Sequence, residues 1–186
     1  YLQLSEKSYV KNIGMMHSLL SFVISMLLVF RTNTAYERWW EGRKLWGSLV
    51  NCSRNLAIKL NAMLSHDNKA DRAFFKNSIP LYAVVLSHHL RSETTRLALD
   101  ENEHPELADL NNNHHVPNQL AAKMFRRINS LYSNGIITGD QLIILNTEFQ
   151  TFTDVCGACE RIKNTPIPIS YSAFLKKFIF LFVATL

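Results

Sequence analysis

The sequence predicts an all-α protein that is embedded in a membrane and whose long helices extend into a helical region outside the bilayer. Residues 12–30 contain no Asp, Glu, Lys or Arg, and a window of about 19 such residues can cross most of a bilayer core of roughly 30 Å. The helix-compatible pattern then continues to residue 64 without a proline. No segment alternates apolar and polar residues as a half-buried strand would.

The first element is a predicted helix over residues 12–64. It contains only Gly42 and Gly47 after Gly14, so we predict one long helix or two nearly collinear ones. At 1.5 Å per residue such a helix is roughly 75 Å long, which is far more than a bilayer requires. Its second half must therefore lie outside the membrane. The serines and His17 of the apolar run indicate that one face meets protein or water.

A polar turn at residues 66–72 precedes the next elements. Apolar residues recur at helical spacing from Phe74 to about Leu90, with Pro80 as a kink or a helix restart. Residues 100–118 are acidic and Asn-rich, and they predict a surface loop. We interpret the potential cation ligands of this loop as solvated side chains: Asp100, Glu101, Glu103 and His104.

The last elements are two helices, a proline-rich turn and an apolar helix. A helix is predicted over about 118–132 and ends at the Asn-Gly pair 134–135. A Thr-x-x-Gln capping box opens the next helix, at 138–163. The sequence TPIPI at 165–169 then predicts an extended turn before the final helix.

The basic residues predict the membrane topology. The formal net charge is +5, and Lys and Arg flank both apolar runs, so the positive-inside rule puts both flanks in the cytoplasm. Residues 1–30 are predicted to contain an N-terminal segment and a transmembrane helix, 31–171 a cytosolic helical region, and 172–186 the start of a further transmembrane helix. The basic residues alternate with acids and form no dense cluster, which disfavours nucleic acid as a partner.

The two ends of the chain suggest a longer protein. The chain starts with Tyr1 and stops within FIFLFVATL, an apolar run of nine residues that is too short to span a bilayer. We expect a fragment that lacks a preceding transmembrane helix and the C-terminus.

The predicted location is the cell inner membrane or plasma membrane. The chain is predicted to cross it more than once, with residues 31–177 in the cytoplasm.

The cysteines and the motif search predict no enzyme, cofactor or metal site. Cys156 and Cys159 form a CxxC, but a redox role would require a βαβ context and a zinc site would require a second ligand pair. His114 and His115 lie on a low-complexity loop, and His88-His89 point about 100° apart. We interpret the CxxC as two small buried residues on a helix. No phosphate loop or catalytic triad pattern is present in the sequence.

Two motifs resemble those of the bestrophin family of pentameric ion channels, and of its prokaryotic branch in particular. Phe22, Met26 and Phe30 share one helical face, which by pattern alone indicates ordinary packing. They precede RTNTAYERWWEGRKLWG, and CERIKNTPIPISY follows at 159–171. The resemblance implies a homopentamer around a central pore. It also implies that these three residues form its narrow hydrophobic neck, where relatives commonly carry Ile at the first two positions; a tight apolar constriction can gate by dewetting.

The resemblance also implies roles for residues outside the neck. A cytosolic aperture would fall at Leu142 or Ile143. The second signature would turn through Pro166 and Pro168, and Tyr171 would begin the next helix. The residues predicted to mark the membrane boundary are Arg31, Asn33, Tyr36, Arg38, Trp39, Trp40 and Glu41.

The sequence therefore predicts a pore-forming subunit that conducts monovalent ions passively. Cations are slightly favoured over chloride by analogy with the bacterial branch, and membrane lipids and other copies of the chain are the expected partners. One alternative is a non-conducting membrane scaffold or sensor whose cytosolic helices bind a partner. Another is a soluble helical enzyme with a buried hairpin.

Overall fold

The computed structural model describes residues 6–92, 110–111 and 114–184, with side-chain surroundings from residue 14 onward and excepting Ile169. These ranges contain helices and short connections and no strand, which confirms the all-α prediction. The acidic loop residues Asp100, Glu101, Glu103 and His104, which we interpret as solvated side chains, lie outside the described residues. The helices are α1 (Glu6–Met63), α2 (Lys69–Arg91), α3 (Val116–Ser133), α4 (Gly139–Asn164) and α5 (Ile169–Ala184).

The predicted first helix is confirmed as one unbroken element. α1 runs for 58 residues, which corresponds to about 87 Å at 1.5 Å per residue. α2 begins at Lys69, five residues before the predicted Phe74, because the Asn68 side chain accepts a hydrogen bond from the Asp71 backbone N–H at 3.4 Å. Pro80 lies inside α2, so it does not restart a helix.

The predicted signals around α4 are confirmed. Gly135, which follows the C-terminal end of α3, has a left-handed φ of +69°. The capping box is reciprocal: the Thr138 N–H donates to Gln141 Oε1 at 3.0 Å and the Gln141 N–H donates to Thr138 Oγ1 at 3.3 Å. α5 begins at Ile169, two residues before the predicted Tyr171, and residues 165–168 form the expected non-helical turn.

Packing divides the chain into two compact units. The first consists of Tyr1–Glu41 with Thr165–Leu186, and the second of Gly42–Asn164. The predicted boundaries after residues 30 and 171 were drawn at a membrane surface. A packing division does not mark a membrane surface, so those boundaries remain predictions.

The second unit has a continuous apolar core. Helices α2, α3 and α4 pack against one another, and the last part of α1 contributes to the same core. Tyr82 of α2 lies at its centre, fully buried, with its ring edge-on to Phe152 of α4 at a centroid distance of 4.8 Å. The contributions of α1 to this core are Leu49, Cys52, Leu56 and Leu60.

Two ion pairs tie the helices of the second unit together. Lys59 Nζ of α1 lies 2.6 Å from Glu148 Oε1 of α4. Glu148 is only 8 % exposed. The Arg127 guanidinium of α3 pairs with the buried Asp71 of α2. Each buried carboxylate thus faces a cation, as burial of a charge requires.

Candidate functional site

The N-terminal half of α1 presents apolar side chains that the described residues of its own unit leave exposed. Among the described residues, α1 is the one helix long and apolar enough to cross a membrane. Its most apolar stretch has a mean hydropathy of 1.6 and is not buried within the chain. An apolar helix surface of this kind is stable against lipid or against other protein, not against water.

The three predicted neck residues lie on one exposed face of α1. Phe22 is 68 % exposed, Met26 49 % and Phe30 51 %. The half-buried positions of the same stretch share a different face, and one of them, His17, stacks on Phe182 of α5 at 4.3 Å. The neck residues are therefore left available for contacts outside the unit. The half-buried positions are His17, Leu20, Val23, Ile24 and Leu27.

A row of hydroxyl groups at seven-residue spacing flanks the neck face. Ser18, Ser25 and Thr32 each donate their hydroxyl hydrogen to the backbone carbonyl four residues earlier, at 3.0, 2.8 and 2.9 Å. This back-bonding uses the only hydrogen of each hydroxyl. The side chains consequently present oxygen lone pairs, and no hydrogen-bond donor, to their surroundings.

The predicted boundary residues follow the neck on the same helix. Tyr36, Trp39 and Trp40 are exposed and form a chain of ring contacts with centroid distances of 5.7 and 6.1 Å. Arg31 and Asn33 are exposed as well, whereas Arg38 and Glu41 are half-buried. Aromatic side chains with apolar bodies and polar edges are typical of a membrane–water interface.

The two sequence signatures contact each other within the first unit. The Arg38 guanidinium donates to the Thr165 carbonyl, at the start of the proline turn. The Tyr171 hydroxyl of α5 donates to the Leu27 carbonyl of α1 at 2.6 Å. Pro168 ends the turn, and its carbonyl accepts the Tyr171 N–H at 3.1 Å. The turn is thus attached to α1 through one side chain from each signature.

The comparison with protein families agrees with this geometry. The family model described as Bacterial/Fungal Bestrophin protein matches residues 4–186.

The chain belongs to the bestrophin family.

Similar proteins include a voltage-dependent anion channel-forming protein of Synechocystis, 37 % identical over 169 residues, and one of Nostoc, 35 % identical over 169 residues. Each alignment covers 87 % of this chain, and the chain spans about half, 54 %, of each relative's length. A crystal structure of a bestrophin homologue from Klebsiella pneumoniae is similar with a TM-score of 0.76 and 26 % identity, covering 90 % of this chain and 63 % of that one. Bestrophins are membrane-embedded ion channels and not enzymes, which confirms the prediction that the chain is not an enzyme.

In this bestrophin, the Tyr171 hydrogen bond is accessible to a direct test. We expect Tyr171→Phe to lower the free energy of unfolding by about 1 kcal/mol. The substitution keeps the ring but removes the hydroxyl and its hydrogen bond to the Leu27 carbonyl. For a domain of this size, that loss lowers the melting temperature by about 2–4 °C. Circular dichroism of the detergent-solubilised protein measures it.

The matched control is Tyr36→Phe, since Tyr36 is 59 % exposed and its ring contacts Trp39. We expect its melting temperature to equal that of the unchanged protein. Equal melting temperatures for both variants would show that the Tyr171 hydroxyl does not hold α5 to α1.

The two aperture candidates differ in their surroundings. Leu142 is half-buried and packs against the core of the second unit. Ile143, the next residue on α4, is 69 % exposed. Of the two, Ile143 is the residue whose side chain is available to line a constriction.

The CxxC is buried, as predicted. Cys156 and Cys159 are free thiols on α4, 2 % and 8 % exposed. Burial, reinforced by the nearby Glu160 carboxylate, raises the pKa of Cys156 to about 11. The thiol therefore stays protonated at neutral pH, which disfavours both thiol exchange and metal binding there.

Sequence reasoning missed one cluster of side chains in the second unit. His89 at the end of α2, His115 at the N-cap of α3 and Glu160 of α4 place one ligand atom each within 4.8 Å of one another. His115 lies 45 positions before Glu160 in the sequence, and His89 lies 71 positions before it. Only the packing of three helices brings them together, and no local spacing in the sequence signals it.

Proposed function

We propose that the protein is a pore-forming subunit of a homopentameric bestrophin-like channel that conducts monovalent ions passively across the cell inner membrane or plasma membrane. The observation that carries the proposal is the exposed apolar face of α1 in a chain of this family. The relatives named as voltage-dependent anion channel-forming proteins support ion conduction. Residues 31–177 lie in the cytoplasm in this proposal, because basic residues flank both apolar runs.

The neck of the proposed pore consists of Phe22, Met26 and Phe30. Five copies of α1 around one axis would turn three rings of apolar side chains toward the ions. These side chains have no charge or hydrogen-bonding group with which to replace an ion's hydration shell. A narrow ring of this kind is closed when it is dry and open when it is wet, which is gating by dewetting.

A second constriction is proposed at Ile143. Its side chain is exposed, whereas the Leu142 side chain is occupied by core packing. A ring of isoleucines would be uncharged, like the neck. The proposed pore therefore selects ions without a charged side chain in either constriction.

The proposed preference for cations rests on the flanking hydroxyls. Ser18, Ser25 and Thr32 present only oxygen lone pairs, because each hydroxyl hydrogen is donated to the helix backbone. Oxygen lone pairs are favourable neighbours for a partly dehydrated cation and unfavourable ones for chloride. The names of the Synechocystis and Nostoc relatives specify anions. Measuring whether cations or anions carry the current is therefore the sharpest test of the proposed cation preference.

The test is a bilayer recording of the full protein under a tenfold sodium chloride gradient. We expect currents whose reversal potential shifts toward the sodium equilibrium potential, with an upper limit of about 59 mV for a perfectly selective pore. A shift of the opposite sign would replace cation by anion selectivity and leave the channel proposal intact. Membranes that contain folded protein but carry no current would instead support the non-conducting scaffold or sensor.

A further inference from the structure

A carboxylate on α4 receives two imidazole rings from separate elements. His89 Nε2 and His115 Nε2 each lie 2.6 Å from the same oxygen, Glu160 Oε1. The two rings are 4.4 Å apart between centroids and inclined at 46°. All three side chains are about 30 % exposed, at 28, 31 and 27 %, so the cluster is open to solvent on one side.

The cluster is held by contacts that do not involve its ligand atoms. The Lys163 ammonium of α4, one turn after Glu160, donates to the His89 carbonyl at 3.0 Å and to Ser92 Oγ at 2.8 Å. Ser92 has a left-handed φ of 58° and caps α2, with its N–H directed to the carbonyls of His88 and His89. The end of α2, and with it His89, is therefore fixed to the helix that carries Glu160.

The donor set of the cluster suits a cation. Each imidazole presents its Nε2 to the same carboxylate oxygen of Glu160. Two imidazoles with one carboxylate form a ligand set that divalent transition ions bind.

The hydrogen bonds of His115 define its present tautomer. Its Nδ1 accepts the Asn118 backbone N–H at 3.2 Å, as the N-cap of α3, so this nitrogen carries no hydrogen. Its Nε2 then carries the hydrogen and donates to Glu160. A metal ion on Nε2 would move that hydrogen to Nδ1 and release the Asn118 N–H. Metal binding and this helix cap therefore compete for one imidazole.

We propose that His89 Nε2, His115 Nε2 and a Glu160 oxygen form a binding site for a divalent transition ion of the zinc class. The ligand atoms lie within 4.8 Å of one another, whereas ligands around a tetrahedral ion with bonds of about 2.0–2.1 Å lie roughly 3.4 Å apart. Water on the open side completes the fourth position. All three ligand residues belong to the second unit.

The test is zinc binding to the full protein, purified in detergent without a histidine tag and first stripped of metal by a chelator. Isothermal titration calorimetry should show one site per chain with a micromolar or tighter dissociation constant. The variants His89→Ala, Glu160→Gln and His115→Asn should each weaken zinc binding by at least tenfold. His115→Asn is the most informative, because asparagine keeps a side-chain acceptor at the N-cap and removes the imidazole.

Matched controls are His88→Ala and His114→Ala, which remove a histidine adjacent to each ligand. We expect zinc affinity in both to equal that of the unchanged protein. Circular dichroism checks that every variant is folded, and His115→Asn should keep its helical content. The proposal is overturned if the unchanged protein binds no zinc at micromolar concentrations, or if folded His115→Asn and Glu160→Gln bind it as tightly as the unchanged protein does.

Discussion

Replacing Phe22, Met26 and Phe30 together by alanine is expected to raise the single-channel conductance or the open probability several-fold. Each substitution removes most of a side chain that is about half exposed or more on one face of α1. A wider apolar ring is easier to wet, so the barrier to ion passage falls. Single-channel recording in planar bilayers separates the two quantities.

The control for this triple variant is Leu28→Ala. Leu28 is 46 % exposed on the same stretch of α1, but at 100° per residue it lies on about the opposite side of the helix from Met26. We expect its conductance to match that of the unchanged channel. Unchanged currents in the triple variant would remove Phe22, Met26 and Phe30 from the gate, while the channel proposal itself would stand.

Tyr82→Ala is expected to produce the largest loss of stability, about 3–5 kcal/mol in the free energy of unfolding. The ring is fully buried, meets Phe152 edge-on, and donates its hydroxyl to the Phe152 carbonyl at 3.1 Å. Tyr82→Phe should lose only about 1 kcal/mol, because it keeps the ring and removes only the hydroxyl. Thermal unfolding followed by circular dichroism ranks the two variants.

Tyr132→Ala serves as the surface control for this comparison. Tyr132 is 48 % exposed at the end of α3, and truncating it should lower the free energy of unfolding by less than about 1 kcal/mol. If Tyr82→Ala and Tyr132→Ala unfold at the same temperature, the core of the second unit does not depend on the Tyr82 ring.

The helices were predictable because their signals are local. The capping box at Thr138 and the glycine at 135 each act within one turn, and the structure has both. α2 begins five residues before Phe74, the residue from which apolar spacing predicts the helix. The polar cap Asn68 opens the helix earlier, through a single hydrogen bond that hydropathy does not register.

The candidate site was predictable only as far as one helix face. Spacing alone places Phe22, Met26 and Phe30 together, whereas the resemblance to bestrophins was needed to assign them to a neck. The choice between Leu142 and Ile143 depended on which of two adjacent apolar residues faces the core. The cluster of His89, His115 and Glu160 forms only where three helices pack together. Local sequence patterns contain no information about that packing.

The hydrogen bonds that attach the proline turn to α1 constrain the chain unequally. Both acceptors, at Leu27 and Thr165, are backbone carbonyls, so any residue that fits the local conformation supplies them. Both donors, Arg38 and Tyr171, are side chains that few other residues can replace. Most substitutions at positions 27 and 165 therefore leave these two hydrogen bonds in place, whereas most substitutions at positions 38 and 171 remove them.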